Sequence, residues 1–221
     1  MNGRSSFPDF TKQHIFEPLG MKNTAWFLRD LPRETVVAVP VQTANRRGTR
    51  FKDVGQYCFI DFASGSLRTT AADLADFLNA MSDRGIPKLW SAASGLDALT
   101  CLEQNRHGKP KRKGEYGANW ILLNNDMKSD ADDWLAPFSH LDWTGGGHHD
   151  GAEAGCQTQI LVLPEAGVYV AVLTNTDGND EDAAQMVARD LMDEVSCGCT
   201  CRRPFARLLR SGISLASRWS I

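Results

Sequence analysis

The sequence predicts an α+β fold, an antiparallel sheet with flanking helices. Three observations predict it. Two amphipathic helical patterns stand far apart, one after "SGSLRTT" and one after "TNTDGNDED". The apolar runs "QTQILVL" and "VYVAVLTN" are joined by "PEAG", a hairpin connection rather than a crossover. The order helix, irregular region, helix, strand, hairpin, helix lacks the βαβ alternation of a parallel sheet.

Each element has its own signal. Pro8 suits the first turn of a helix, so residues 8–16 read as helical, with Pro18 as the stop. "EPLGMKNTAWF" then leads into an extended segment. Residues 30–60 lack a helical period and hold the turn signal "NRRG". Pro40 interrupts "VVAVPV" and limits it to an edge piece. Thr70 is a good N-cap, and the Asp73 carboxylate three residues on is placed to reach back to the cap amide. Leu74, Phe77, Leu78 and Met81 then form one apolar face, and Gly85 and Pro87 end the helix. Residues 104–115 are a basic loop, "YGANWILLNN" a strand and "DMKSDADDW" an acidic excursion. "VYVAVLTN" is apolar on both faces, as in an interior strand of a covered sheet. Gly167 supplies positive φ to the turn before it. In the last helix Ala184, Val187, Ala188, Leu191 and Val195 share a face, with Asp180, Glu181 and Asp182 complementing the N-terminal dipole. Residues 1–196 are read as one domain portion. Residues 197–221 are read as a Cys/Arg-rich tail, expected to be disordered.

Composition excludes several functions. With 42% hydrophobic and 23% charged residues, the chain matches an ordinary globular protein. No apolar run approaches the ~20 residues of a membrane span, and "MNGRSSFPDF" has no signal-peptide pattern. The net charge is −3, yet the tail carries Arg202, Arg203, Arg207, Arg210 and Arg218 and no acid. The body is therefore acidic, which argues against a nucleic-acid surface; the tail arginines read as a solvated end. Cys58, Cys101 and Cys156 read as buried small residues. Cys197, Cys199 and Cys201 form "CGCTC", without the paired C-x2-C spacing of zinc sites.

Chemistry concentrates in "GGHHDGAEAG", Gly146 to Gly155. His140, Asp142, His148, His149 and Asp150 crowd this region as a candidate metal cluster. Adjacent His148 and His149 point to opposite faces of a strand, however, and do not converge easily on one ion. The alternative is a catalytic strand. His149 and Gly151 would share one face with Asp150 on the other. The side chain at 149 would steer a substrate or move a proton, and Gly151 would let substrate approach the strand edge, where main-chain N–H groups bind a developing oxyanion.

At these residues the sequence resembles the serine β-lactamase and penicillin-binding-protein superfamily, in its class C and esterase-like branch. "GHHDGAEAGCQTQILVLPEAGVYVAVLTN" is similar to that branch's "GH-x-G-G-x-P-G" followed by strand, turn and strand. "IFEPLGMKNTAWF" resembles its "IFxPLGMxxT", and "SGSLRTTAADLADFL" its "SGGLxSTAxDLAxF". The resemblance spans roughly residues 7–195. It puts His149 at the Lys/His position of the third catalytic motif, Asp150 at the Ser/Thr position and Gly151 at the Gly. The N–H of Ala152 would be the oxyanion donor. Asp150 departs from the usual hydroxyl residue. An inward carboxylate would repel a substrate carboxylate, which favours ester or amide cleavage over β-lactam hydrolysis.

The family's S-x-x-K nucleophile motif does not occur in these 221 residues; the closest match is Thr49–Lys52, "TRFK". Tyr57, Tyr116 and Tyr169 are not followed by Asn two positions on, so Tyr-x-Asn is missing as well. In the family both motifs precede "IFxPLGM". The expectation is thus the C-terminal part of a serine hydrolase domain, inert alone, whose attacking hydroxyl lies outside these residues. The resemblance implies a sheet with two strands from the N-terminal part and three from the C-terminal part. A bare sheet edge would then invite self-association. A small-molecule ester or amide is the expected substrate of the intact protein, with no cofactor. Two rivals stand beside this reading: a non-catalytic binding or scaffold paralogue, and a metal-dependent hydrolase built on the His140–Asp150 cluster.

Overall fold

The computed structural model of the chain describes residues 5–44, 50–81, 120–123, 125, 135, 139–176, 183–196 and 214–216. Among them are a five-stranded antiparallel sheet, helices on both of its faces, and a small two-stranded ribbon. The α+β architecture predicted from the sequence is the one present.

The chain enters through α1 (Phe7–Thr11), a π-turn (Lys12–Phe16) and α2 (Glu17–Leu19), which run on without a break. Ser6 caps the start, its hydroxyl accepting from the Asp9 N–H at 3.3 Å. Pro18 was expected to stop the helix but lies within it. The stop comes instead from Gly20, whose φ of 71° suits glycine. Gly20 N–H bonds the Glu17 carbonyl and Met21 N–H the Phe16 carbonyl, a Schellman closure. Phe16 and Met21 then meet in a cluster with Leu19, Trp26 and Ala80. The spelling "PLGM" is thus a helix end that folds its last residue back onto the core. Trp26 is fixed by its indole N–H, which donates to Thr11 Oγ1 at 2.7 Å. Its ring packs among Phe7, Phe16 and Phe62.

The region expected to be irregular contains β1 (Val41–Thr43) and β2 (Phe51–Asp53), paired antiparallel. The turn signal "NRRG" and Thr49 lie outside the described residues. Helix α3 (Ala71–Met81) starts where Thr70 predicts, with Asp73 N–H donating to Thr70 Oγ1 at 3.1 Å. Asp73 itself does not reach back to the cap. Its buried carboxylate accepts from Asn23 N–H at 2.9 Å and Thr24 Oγ1 at 2.7 Å, tying α3 to the N-terminal segment. A tertiary partner outcompetes the local one because it satisfies two donors at once.

The main sheet runs β3 (Ile121–Leu123), β4 (Gly146–Glu153), β5 (Cys156–Leu163), β6 (Val168–Thr174), β7 (Ser214–Ala216), each antiparallel to the next. The turn "PEAG" closes β5 to β6, with Gly167 at φ 67°. Ala154 and Gly155 close β4 to β5. At Gly155 a Cβ would meet the Val41 nitrogen at 2.7 Å, so only glycine fits. The last helix, α4 (Ala183–Ser196), begins with Ala183 N–H on the Gln157 side-chain carbonyl at 2.8 Å. Its buried Ala184, Val187, Ala188, Leu191 and Met192 pack with Leu161, Leu163, Val170 and Val172 on one sheet face. Leu78 and Met81 of α3 pack with Leu122, Val162 and Ala171 on the other.

Three expectations change at this level. Residues 214–216 of the tail expected to be disordered form β7 and pair with β6. That pairing also covers part of the sheet edge expected to be bare. Cys58, read as buried, is exposed, and Cys156 is only half-buried. Cys101, the "CGCTC" cluster, the tail arginines, the basic loop 104–115, Asp180 to Asp182 and the side chain of Val195 lie outside the described residues. Among the described residues no helix is long and apolar enough to cross a membrane.

Candidate active site

Strand β4 changes character along its length. Gly146, Gly147 and His148 are buried and pair with Leu123, Leu122 and Ile121 of β3, and Gly147 and His148 pair with β5 as well. A Cβ on Gly146 would meet Leu163 Cδ2 at 2.9 Å and the Trp143 carbonyl at 3.0 Å, so this end tolerates no side chain. The turn before it is held by Asn125, whose Oδ1 accepts from Trp143 N–H while its amide donates to Asp142 Oδ1. Beyond His148, β3 ends. From His149 to Glu153, β4 pairs only with β5 among the described residues.

Alternation sorts the four residues singled out in the sequence. His149 pairs with Ile160 and Gly151 with Thr158, which places both on the α3 face of the sheet. Asp150 pairs with Gln159 and Ala152 with Gln157, on the α4 face. His149 is half-buried, and its Nδ1 lies 2.6 Å from the Asp150 carbonyl oxygen. When Nδ1 carries the proton it donates to that carbonyl, and Nε2 is then the acceptor of the neutral ring. A Cβ on Gly151 would sit 2.7 Å from Thr158 Oγ1, so the missing side chain keeps this part of the strand surface low. Asp150 is exposed, as is Ala152. Because Asp150 projects to the opposite face from His149, its carboxylate does not share a groove wall with the imidazole. Repulsion of a substrate carboxylate therefore has no basis on the His149 side.

A loop packs against the turn between β4 and β5. Tyr57 Oη donates to the Ala154 carbonyl at 2.7 Å, and Gly65 lies against the Glu153 side chain. Arg68 ties this loop together: Nη1 donates to the Trp26 and Ser66 carbonyls, Nη2 to the Tyr57 carbonyl. Ser66 Oγ accepts from Phe59 N–H at 3.1 Å. The only sequence sign of this role was one arginine inside the otherwise uncharged "SGSLRTT". Burial raises the Tyr57 pKa well above its ordinary value; the Cys156 thiol and the Glu153 carboxylate push the same way, against Arg68. Tyr57 is therefore a neutral donor across the physiological range. Between this loop, residues 35–40 and the ends of β5 and β6 lies a cavity of about 340 Å³. It reaches Tyr57, Arg68, Cys156 and Thr158 but is lined by no residue of His149–Glu153. The cavity thus lies beside the β4 edge, not on it.

The candidate metal cluster is not assembled. Asp142 is engaged by Asn125 and by Thr144 N–H, and His140 is exposed. Among the described residues no three His, Cys, Asp or Glu side chains are arranged to hold an ion.

A family model described as Beta-lactamase matches residues 2–192. No curated protein matches the chain. Among solved structures, an octameric penicillin-binding protein homologue from Pyrococcus abyssi is 21% identical with a TM-score of 0.58, covering 85% of this chain and 38% of its own. A class C beta-lactamase from Rhodobacter sphaeroides is 15% identical with a TM-score of 0.60, covering 87% of this chain and 55% of its own. A further class C beta-lactamase is 13% identical with a TM-score of 0.61, covering 88% and 52% respectively. At these identities the likeness concerns the fold. The chain spans between about two fifths and just over half the length of these structures.

Proposed function

Because this chain belongs to the Beta-lactamase family, we propose that its β4 is one wall of an acyl-transfer cleft whose attacking hydroxyl comes from outside these 221 residues. The observation that carries the reading is the switch at His148. Past it the strand has no outer neighbour among the described residues, and His149 and Gly151 face the α3 side together. In the proposed reaction a serine attacks an ester or amide carbonyl, and an acyl-enzyme forms. His149 lines the cleft and acts on the proton or charge near the leaving group, from the nitrogen opposite the one held at the Asp150 carbonyl. Gly151 leaves room for the substrate main chain, and Ala152 N–H helps hold the oxyanion. Asp150 projects to the α4 face, away from the proposed cleft.

The 221 residues contain no S-x-x-K, so the chain alone is expected to be inert. A fluorophosphonate probe tests this. The pure chain should stay unlabelled, and strong labelling at a single residue would defeat the reading. In a polypeptide that joins these residues to an S-x-x-K segment, labelling should appear and should fall at least tenfold in His149→Ala. The same absence of S-x-x-K favours a second reading, a non-catalytic binding paralogue. That reading gains if the joined polypeptide folds and still gives no labelling.

A further inference from the structure

The cavity beside the β4–β5 turn is mainly apolar and holds one charge. Leu31, Val37, Pro40, Leu67 and Leu173 supply much of its lining, and Arg68 alone is charged among the described residues that line it. Arg68 is half-buried, and its guanidinium donates only to the main-chain carbonyls of Trp26, Ser66 and Tyr57. Its Nε–H is buried and has no acceptor. No described carboxylate forms an ion pair with it. The Glu153 carboxylate lies against Gly65, on an exposed residue that does not line the cavity. An arginine taken out of water is ordinarily matched by a carboxylate or phosphate, because neutral carbonyls satisfy its N–H groups but not its charge. A second donor on the same lining is also unmatched: Thr35 Oγ1 is buried with no partner. The N-terminus of α3 follows directly on the lining residues Thr69 and Thr70 and adds positive potential there.

We propose that this cavity is a binding site for an aliphatic monocarboxylate, with the carboxylate at Arg68 and the chain along the apolar lining. A carboxylate accepts hydrogen bonds from guanidinium and hydroxyl donors alike, and it supplies the charge that Arg68 lacks. One cation balances a monoanion. A phosphate would bring a second negative charge into mainly apolar surroundings, with nothing to pair it. The apolar walls take the hydrocarbon part out of water, and the volume of about 340 Å³ holds a short chain. The site does not rest on the proposed acyl-transfer cleft, since no residue of His149–Glu153 lines it.

The probe is hexanoate, added to the full chain, with hexanamide as its uncharged counterpart. Calorimetric titration should show saturable hexanoate binding, and hexanamide should bind at least roughly tenfold more weakly. Two cysteines report the place. Cys156 lines the cavity, whereas Cys58 is exposed and does not. Saturating hexanoate should slow the alkylation of Cys156 by iodoacetamide several-fold and leave that of Cys58 unchanged, read by peptide mass spectrometry. Arg68→Gln, which removes the charge, should lose hexanoate binding. If that variant does not fold, the two probes on the unsubstituted chain decide the matter. Absence of saturable hexanoate binding overturns the proposal, as does hexanamide binding equally well. So does binding that leaves Cys156 unprotected, or a folded Arg68→Gln that binds hexanoate as before.

Discussion

The two halves of β4 share one backbone and little else. Gly146–His148 is buried and paired with β3, Gly147 and His148 with β5 too, and at Gly146 the surroundings are so tight that glycine is required. Among the described residues, His149–Glu153 is paired on one side, and Asp150, Ala152 and Glu153 are exposed. Two adjacent histidines fall either side of the boundary: His148 is 4% exposed among core residues, His149 half-buried at the rim. The lesson is that residue type does not separate a packing histidine from a candidate catalytic one. What separates them is the point at which the neighbouring strand stops.

The sharpest way to break this contrast is to truncate the core on each side of it. Leu161 pairs with His148 and is fully buried, so Leu161→Ala should cost about 2–5 kcal/mol. Ile160 pairs with His149 and is only half-buried, so Ile160→Ala should cost distinctly less; urea unfolding midpoints would compare the two. Equal losses would erase the distinction between the halves. Next come the glycines. Gly146→Ala drives a methyl against two carbonyl oxygens and Leu163, and should cost about 1–3 kcal/mol. Gly151→Ala meets a single threonine hydroxyl that can rotate, so its loss should be smaller and should vanish when combined with Thr158→Ala.

The Tyr57 loop at the end of the outer half gives a pH-dependent test. The Tyr57 pKa is raised in the folded state, first by burial and then by Cys156 and Glu153. The stability tied to the neutral phenol is therefore complete below the ordinary tyrosine value of about 10 and is lost as pH rises above it. Tyr57→Phe should cost about 0.5–1.5 kcal/mol near neutrality, through the lost hydrogen bond to Ala154. It should also flatten the alkaline decline, read as unfolding midpoints at about pH 8 and about pH 11. The smallest effect belongs to His149→Ala, which should leave stability within about 0.5 kcal/mol. A large loss there would make His149 a packing residue like its neighbour.

Much of the fold was legible in the sequence because period and punctuation reported it directly. Thr70 marked the α3 start, Gly167 the hairpin, and the apolar face of α3 is the face that packs. The misreadings arose where a distant partner decided the outcome. Asp73 abandoned its local cap for Asn23 and Thr24, and Pro18 was absorbed because a π-turn precedes it. For the candidate site, the alternation of His149, Asp150 and Gly151 followed from strand geometry alone. The placement of the Tyr57 and Arg68 loop against the β4–β5 turn did not. It rests on main-chain carbonyls brought close by folding, and carbonyls leave no trace in residue identity.

The Asp73 clamp also bears on how the molecule opens. It joins positions about fifty residues apart, whereas β5 and β6 meet across a four-residue turn. Local pairing of that kind forms early, and a long closure forms late. The N-terminal layer should then behave as a separate cooperative unit, exchanging the Asn23 and Ala25 amide hydrogens with solvent while those of β5 stay protected.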